Sequence, residues 1–169
     1  MKKILITRRL IQSSEEYASK IFDVQLNEED KLLTKDELII KSSDCDGILS
    51  SITDKLDADT ILQLSEKVKI ISNFAVGFGN IDLHIAKKRH IIVTNTPEVL
   101  TDATAEIAIL VLLGAARRAK EGIEWTKKKN WKWSADFLMG KQLTGSRLGI
   151  LGMGRIGRAV ADRARSFGM

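Results

Sequence analysis

The 169-residue chain has one cysteine, Cys45, and one proline, Pro97. A single thiol excludes an internal disulfide and a cysteine metal cluster, and Cys45 reads as a small, part-buried apolar residue. No Ser/His/Asp order, metal-ligand spacing or paired-carboxylate motif is present, and His84 falls one turn into a helical pattern with no catalytic partner near it. There is no run of about 18 or more apolar residues to span a bilayer. The start, Met1–Arg9, has charged residues around an apolar core of only Ile4-Leu5-Ile6. A signal peptide needs about 7 or more, so this stretch reads as a first strand in a cytoplasmic protein. Solenoid-period repeats and low-complexity tracts are also lacking. Net charge is +5, but the bases are dispersed among acids. The densest run, Lys127-Lys128-Lys129 beside Trp125, Trp131 and Trp133, comes without any nucleic-acid module signature and reads as a solvated helix face. Neither a nucleic acid nor a membrane is expected as a partner.

What is present is regular alternation. Short apolar runs at Ile4–Thr7, Phe22–Leu26, Gly47–Leu49, Val68–Ser72 and Ile91–Thr94 read as strands. Between them, Ser13–Ile21, a segment from Thr34 to about Ser43, Asp57–Leu64 and Ile81–Arg89 read as helices, with Ser13 as an expected N-cap. This is the pattern of a parallel α/β sheet of flavodoxin type over about the first 95 residues. Pro97 interrupts the alternation before a long helical pattern, Thr101–Lys120, with an apolar face of Ala105, Ala108, Ile109, Leu112 and Leu113. Asp102 and Glu106 near its start and Arg117, Arg118 and Lys120 at its end suit the helix dipole. Residues 121–146 read as irregular.

The richest stretch follows. A short apolar run, Leu148-Gly149-Ile150-Leu151, meets Gly152-Met153-Gly154-Arg155-Ile156-Gly157, and an alanine-rich helical pattern begins at once. This strand–turn–helix setting is what a dinucleotide-binding fingerprint requires. Gly152 is expected to turn the chain, Gly154 to let the backbone approach a pyrophosphate, and Gly157 to seat the helix close to the sheet. The helix N-terminus adds free N–H donors. A tight βα turn with no ligand is the alternative. A second glycine-rich turn, Asn73–Asp82, follows the fourth strand, where ligands gather in open parallel sheets. Its N–H groups could form an anion-binding nest, or it could be simply a helix-entry turn.

The segments Ala75-Val76-Gly77-Phe78-Gly79-Asn80-Ile81-Asp82, Val93–Glu106 and Leu148–Gly157, in that order and spacing, closely resemble the D-isomer-specific 2-hydroxyacid dehydrogenase family. The wording of Asn95–Glu106 is most similar to its glyoxylate/hydroxypyruvate reductase branch; Gly79 departs from the family, which often has Asp there. The resemblance covers essentially the whole chain and about the first half of a family member. It implies a flavodoxin-like substrate domain over residues 1–97 and the beginning of a Rossmann NAD(P)-binding domain over 98–169, incomplete because the chain stops inside the first helix after the fingerprint.

By position, the resemblance implies that the amides of Val76 and Gly77 hold the carboxylate of a small 2-oxo or 2-hydroxy acid, with Leu100 and the loop at Ser51 and Ile52 lining the pocket. Gly152, Gly154, Arg155, Ile156 and Gly157 would hold NAD or NADP, and Thr104 would lie beside the nicotinamide. Trp133 would belong to an arm reaching the partner subunit of a homodimer. The family's Arg and its Glu/His pair fall beyond Met169, so no residue here is expected to be catalytic and the chain alone is expected to be inactive. Two other readings are a non-catalytic dinucleotide-sensing or interaction module of the same fold and, on the glycine turn alone, a methyltransferase.

Overall fold

Five short apolar runs in the first part of the chain pair into one sheet. The computed structural model describes residues 1–128 and 133–169, which group into two units, Met1–Pro97 and Glu98–Met169. In the first unit the order is β1 (Lys3–Ile6), α1 (Gln12–Ile21), β2 (Asp23–Leu26), α2 (Lys35–Lys41), β3 (Gly47–Ser51), α3 (Ala58–Gln63), β4 (Ile70–Phe74), α4 (Leu83–Lys88) and β5 (Ile92–Thr94). All four pairings are parallel, and the sheet order is β2-β1-β3-β4-β5. This is the flavodoxin-type order, so the α/β class expected from the alternation is the one that forms.

The chain moves from β1 outward to β2 and then returns past β1 to β3. Right-handed crossovers therefore place α1 on one face of the sheet and α2, α3 and α4 on the other. The covered face holds the core: Leu5, Ile48 and Ile71 from the strands pack with Leu38, Ile61 and Ala86 from the helices. Side chains alternate along a strand, so Ile4, Leu49 and Phe74 face α1, where a groove of about 760 Å³ is also lined by Ile11, Tyr17 and Ile21.

Helix starts follow local chemistry. Thr34 and Glu37 form a capping box at α2, Asp57 accepts the Thr60 N–H at 2.9 Å, and Asp82 accepts the Ile85 N–H at 2.9 Å. The expected Ser13 cap does not form. Ile11 is the N-cap of α1, and Glu15 turns back to accept the Leu10 N–H at 2.7 Å and Arg9 Nε at 2.8 Å.

Two carboxyls make this unit sensitive to acid. Hydrogen bonds from Arg8 and the Arg9 N–H hold Asp30 at about 2 against an ordinary 3.8. The N–H and hydroxyl of Thr60 hold Asp57 at about 2 from the same 3.8. Both bind protons more weakly folded than unfolded. Their stabilisation is complete above the unfolded value and fades as pH falls through the folded one. The urea midpoint should decline between about pH 4 and pH 2, and the Asp30→Asn/Asp57→Asn double variant should flatten that decline. An equally steep decline in the double variant would count against this assignment.

The second unit contains α5 (Thr101–Ala116), α6 (Ala119–Lys127) and α7 (Arg155–Ser166). The single helix expected over Thr101–Lys120 is therefore two. Arg118 adopts left-handed φ/ψ of 53° and 40°, and the Ala116 carbonyl accepts Lys141 N–H at 2.7 Å. Through α6, helix also occupies the start of the 121–146 stretch expected to be irregular. No strand forms over 148–151. A strand needs a neighbour to take its N–H and C=O groups, and among the described residues this unit provides none. Ala105, Ile109, Leu143 and Ala164 are buried, and Arg163 ties α7 to α5 through Asp102 at 2.9 Å and Glu106 at 3.5 Å.

Candidate functional site

Because every strand of the sheet is parallel, the segments following β1, β3, β4 and β5 leave from one edge, the usual place for a ligand in such a sheet. Below that edge lies a buried polar network. Asp54 is fully buried, and one of its oxygens accepts Thr7 Oγ1 at 2.5 Å, the Ser51 N–H at 2.7 Å and Ser51 Oγ at 3.2 Å. Asn80 Nδ2 spans the Ser51 carbonyl at 3.0 Å and the Asp54 carbonyl at 3.1 Å, joining the β4 loop to the β3 loop. Buried Asn73 accepts Ser50 Oγ at 3.0 Å and donates to the Gly77 carbonyl at 2.9 Å.

This frame carries the Ala75–Asn80 loop. The Ala75 carbonyl accepts the Thr96 N–H at 2.9 Å, and the Val76 carbonyl accepts Asn95 Nδ2 at 2.8 Å. Among the described residues, the N–H groups of Val76 and Gly77 donate to nothing. A Cβ built on Gly77 would lie 3.9 Å from Ile52 Cδ1. The structure thus brings Ser51, Ile52, Val76 and Gly77 to one corner of the sheet edge, with two uncommitted amide donors between them.

In the second unit, Gly152 has φ of 98°, a conformation that favours glycine, and Gly154 is the N-cap of the twelve-residue α7. A Cβ on Gly154 would have nothing within 4 Å, whereas one on Gly157 would lie 2.0 Å from the Gly152 carbonyl oxygen. The close approach at Gly157 is thus to the turn itself, rather than to a sheet. Arg155 reaches Glu98 at 3.2 Å, and Ile156 is half-buried. The turn has the curvature, open space and helix N-terminus that a diphosphate needs.

Leu100 is the N-cap residue of α5, and half-buried Thr104 is in its first turn. Trp133 is 73% exposed. Trp131 and Lys129, part of the basic and aromatic run, lie outside the described residues. His84 is exposed, Glu106 faces Arg163, and burial pushes the buried Cys45 thiol above its ordinary value. Among the described residues there is no cluster of three or more His, Cys, Asp or Glu that could hold a metal, and no helix long and apolar enough to cross a membrane. Sequence reasoning passed over Asp54, Asn73 and Asn95. The Ser51-x-x-Asp54 spacing right after a strand was a readable signal for the first.

Comparison with known proteins shows the family. The model of the D-isomer specific 2-hydroxyacid dehydrogenase catalytic domain matches residues 4–165. A glyoxylate reductase of Thermococcus litoralis is 40% identical over 99% of this chain and 52% of its own length. A glycerate dehydrogenase of Hyphomicrobium methylovorum is 41% identical, also over 99% of this chain and 52% of its own length. Among solved structures, an NAD-binding protein from Polaromonas sp. JS6 66 assigned to the D-isomer specific 2-hydroxyacid dehydrogenases superposes with a TM-score of 0.88 at 38% identity, covering 99% of this chain and 53% of that one. The chain spans about half the length of the curated relatives it matches. From motifs, sheet order and these likenesses together, the chain belongs to the D-isomer specific 2-hydroxyacid dehydrogenase family.

Proposed function

We propose that this chain provides the substrate-carboxylate site and the pyrophosphate turn of an NAD(P)-dependent oxidoreductase acting on small 2-oxo and 2-hydroxy acids, with glyoxylate or hydroxypyruvate as the preferred oxo acid. The observation that carries this reading is the pair of uncommitted N–H groups at Val76 and Gly77, on a loop held by buried Asn73 and half-buried Asn95. Two adjacent backbone donors suit a carboxylate, and charge-assisted bonds of this kind are stronger than neutral ones. Ser51 and Ile52 border the same corner, and the Ile52 side chain beside Gly77 gives it an apolar wall that selects among oxo acids by size.

Residues 1–97 are the substrate domain in this reading, and 98–169 begin the coenzyme domain. Gly152 and Gly154 admit a diphosphate to the N-terminus of α7, and Gly157 keeps the turn closed. When bound, the nicotinamide supplies a hydride to the substrate C2. Thr104 would border the nicotinamide, and the exposed Trp133 would contact a second subunit of a homodimer.

Proton donation to the new alkoxide needs an acid at hydrogen-bond distance from it. His84 and Glu106 are not promoted to that role: His84 lies exposed on α4, and Glu106 is paired with Arg163. The 169-residue chain alone is therefore expected to bind without turning over. Titrating the labelled chain with oxamate, an unreactive analogue of a 2-oxo acid, should shift the Val76 and Gly77 amide signals in a saturable way. Glyoxylate should not accelerate NADH or NADPH oxidation. Unmoved amides would sink the carboxylate assignment, and glyoxylate-dependent oxidation by the purified chain would sink the division of labour.

A further inference from the structure

We infer that Asn95 is a positioning residue for the carboxylate site, acting with the Thr96 N–H to aim the two donors of the Val76–Gly77 loop. The inference rests on the carboxylate reading above and names what makes that loop a receptor.

In a planar trans peptide, the carbonyl of one residue and the N–H of the next point in opposite directions. Along a strand, successive carbonyls alternate in direction, so successive N–H groups do too. The 75–77 loop breaks that alternation. The Ala75 carbonyl faces the Thr96 N–H and the Val76 carbonyl faces Asn95 Nδ2, so two successive carbonyls address the same short segment. Their partners across each peptide, the N–H groups of Val76 and Gly77, both turn away from that segment. Two successive N–H groups on one side of the chain make an anion-binding concavity.

Thr96 supplies a main-chain donor that any residue but proline would supply. Asn95 supplies a side-chain donor, and without it the Val76–Gly77 peptide has no described partner to stop it rotating. Asn73 holds the next carbonyl, that of Gly77, from beneath, so the peptide between is the one left to Asn95.

The chemistry implies two requirements at position 95. The side chain must donate a hydrogen bond, and it must be uncharged, because a cation or anion beside the loop would alter carboxylate affinity by itself. Asn meets both.

Two neutral variants separate loss of the donor from loss of volume: Asn95→Ala and Asn95→Leu. With the 15N-labelled chain, oxamate should bind both at least tenfold more weakly than the parent. The saturating shift of the Gly77 amide should shrink, while the signals of Leu5, Ile48 and Ile71 stay in place. A residue with only a structural role would lower the melting temperature and leave the Gly77 shift at saturation unchanged. Parent-like affinity and parent-like Gly77 shift in both variants would overturn the inference and leave the carboxylate site standing. If oxamate leaves the Val76 and Gly77 amides of the parent unmoved, the carboxylate reading falls and this inference with it. Should either variant fail to fold, the parent still decides: a scalar coupling across the hydrogen bond from Asn95 Nδ2 to the Val76 carbonyl is expected, and its absence overturns the inference.

Discussion

Gly157→Ala should destabilise the second unit by about 3 kcal/mol, the upper part of the usual range for overpacking. A methyl there would stand 2.0 Å from the Gly152 carbonyl oxygen, a main-chain atom that cannot swing aside as a side-chain tip can. Either the first turn of α7 lifts or the Gly152 turn opens. All three tryptophans lie in the second unit, so their fluorescence during urea unfolding reads this change without interference from the sheet. Gly154→Ala is the matched comparison. Nothing lies within 4 Å of its added methyl and its φ is −73°, so stability should be unchanged. The same methyl would occupy the space proposed for the diphosphate, and NADH affinity should fall roughly tenfold, equivalent to about 1.4 kcal/mol. A stable Gly157→Ala protein would mean the turn is looser than described. Undiminished NADH binding by Gly154→Ala would place the phosphates elsewhere.

Removing the Asp54 carboxylate should have an effect of similar size on the first unit. Asp54→Ala leaves the part-buried Ser51 N–H without its acceptor and the buried Thr7 hydroxyl with only the Leu49 carbonyl at 3.3 Å. A stranded donor costs about 1–3 kcal/mol, so a loss of about 2–3 kcal/mol in the urea-derived stability is expected. Asp54→Asn keeps an oxygen for those donors and should cost only about 1 kcal/mol. The functional consequence is separable. Asn80 bonds to the main-chain carbonyls of Ser51 and Asp54, so a loosened β3 loop should also weaken oxamate binding at Val76 and Gly77. Equal stability of the Ala and Asn variants would show that the network is not what holds this corner.

Much of the architecture was readable because its causes are local. The strands are short apolar runs, and the caps of α2 and α4 come from Thr34 and Asp82, beside the helices they start. The fingerprint was readable for the same reason, since its constraints act within six residues, Gly152–Gly157. What escaped was set by distant partners. The break at Arg118 depends on Lys141 taking the Ala116 carbonyl, which helix propensity around Arg117 does not reveal. Ser13 lies inside α1, which starts earlier, after Ile11, where Arg9 and the Leu10 N–H meet the Glu15 carboxylate. The site's frame was the least visible part. Asp54 meets Thr7 across 47 residues and Asn95 meets Val76 across 19, and only the sheet order brings those pairs together. The strand expected over 148–151 has the right residues, yet pairing is a property of two segments.

The free donors at Val76 and Gly77 in the β4 loop are amides, and amides do not titrate near neutral pH. A carboxylate held by Val76 and Gly77 would keep its anchor through changes of acidity that would discharge a histidine. Main-chain donors are also indifferent to most replacements of their own side chains. In the proposed site the side chains of Val76 and Phe78 could drift, and those of Ser51 and Ile52 could be reselected for a larger or smaller oxo acid, without disturbing the anchor. On the proposed reading, recognition of the acid and choice among acids would be inherited separately, and one scaffold could diversify its substrates by single substitutions.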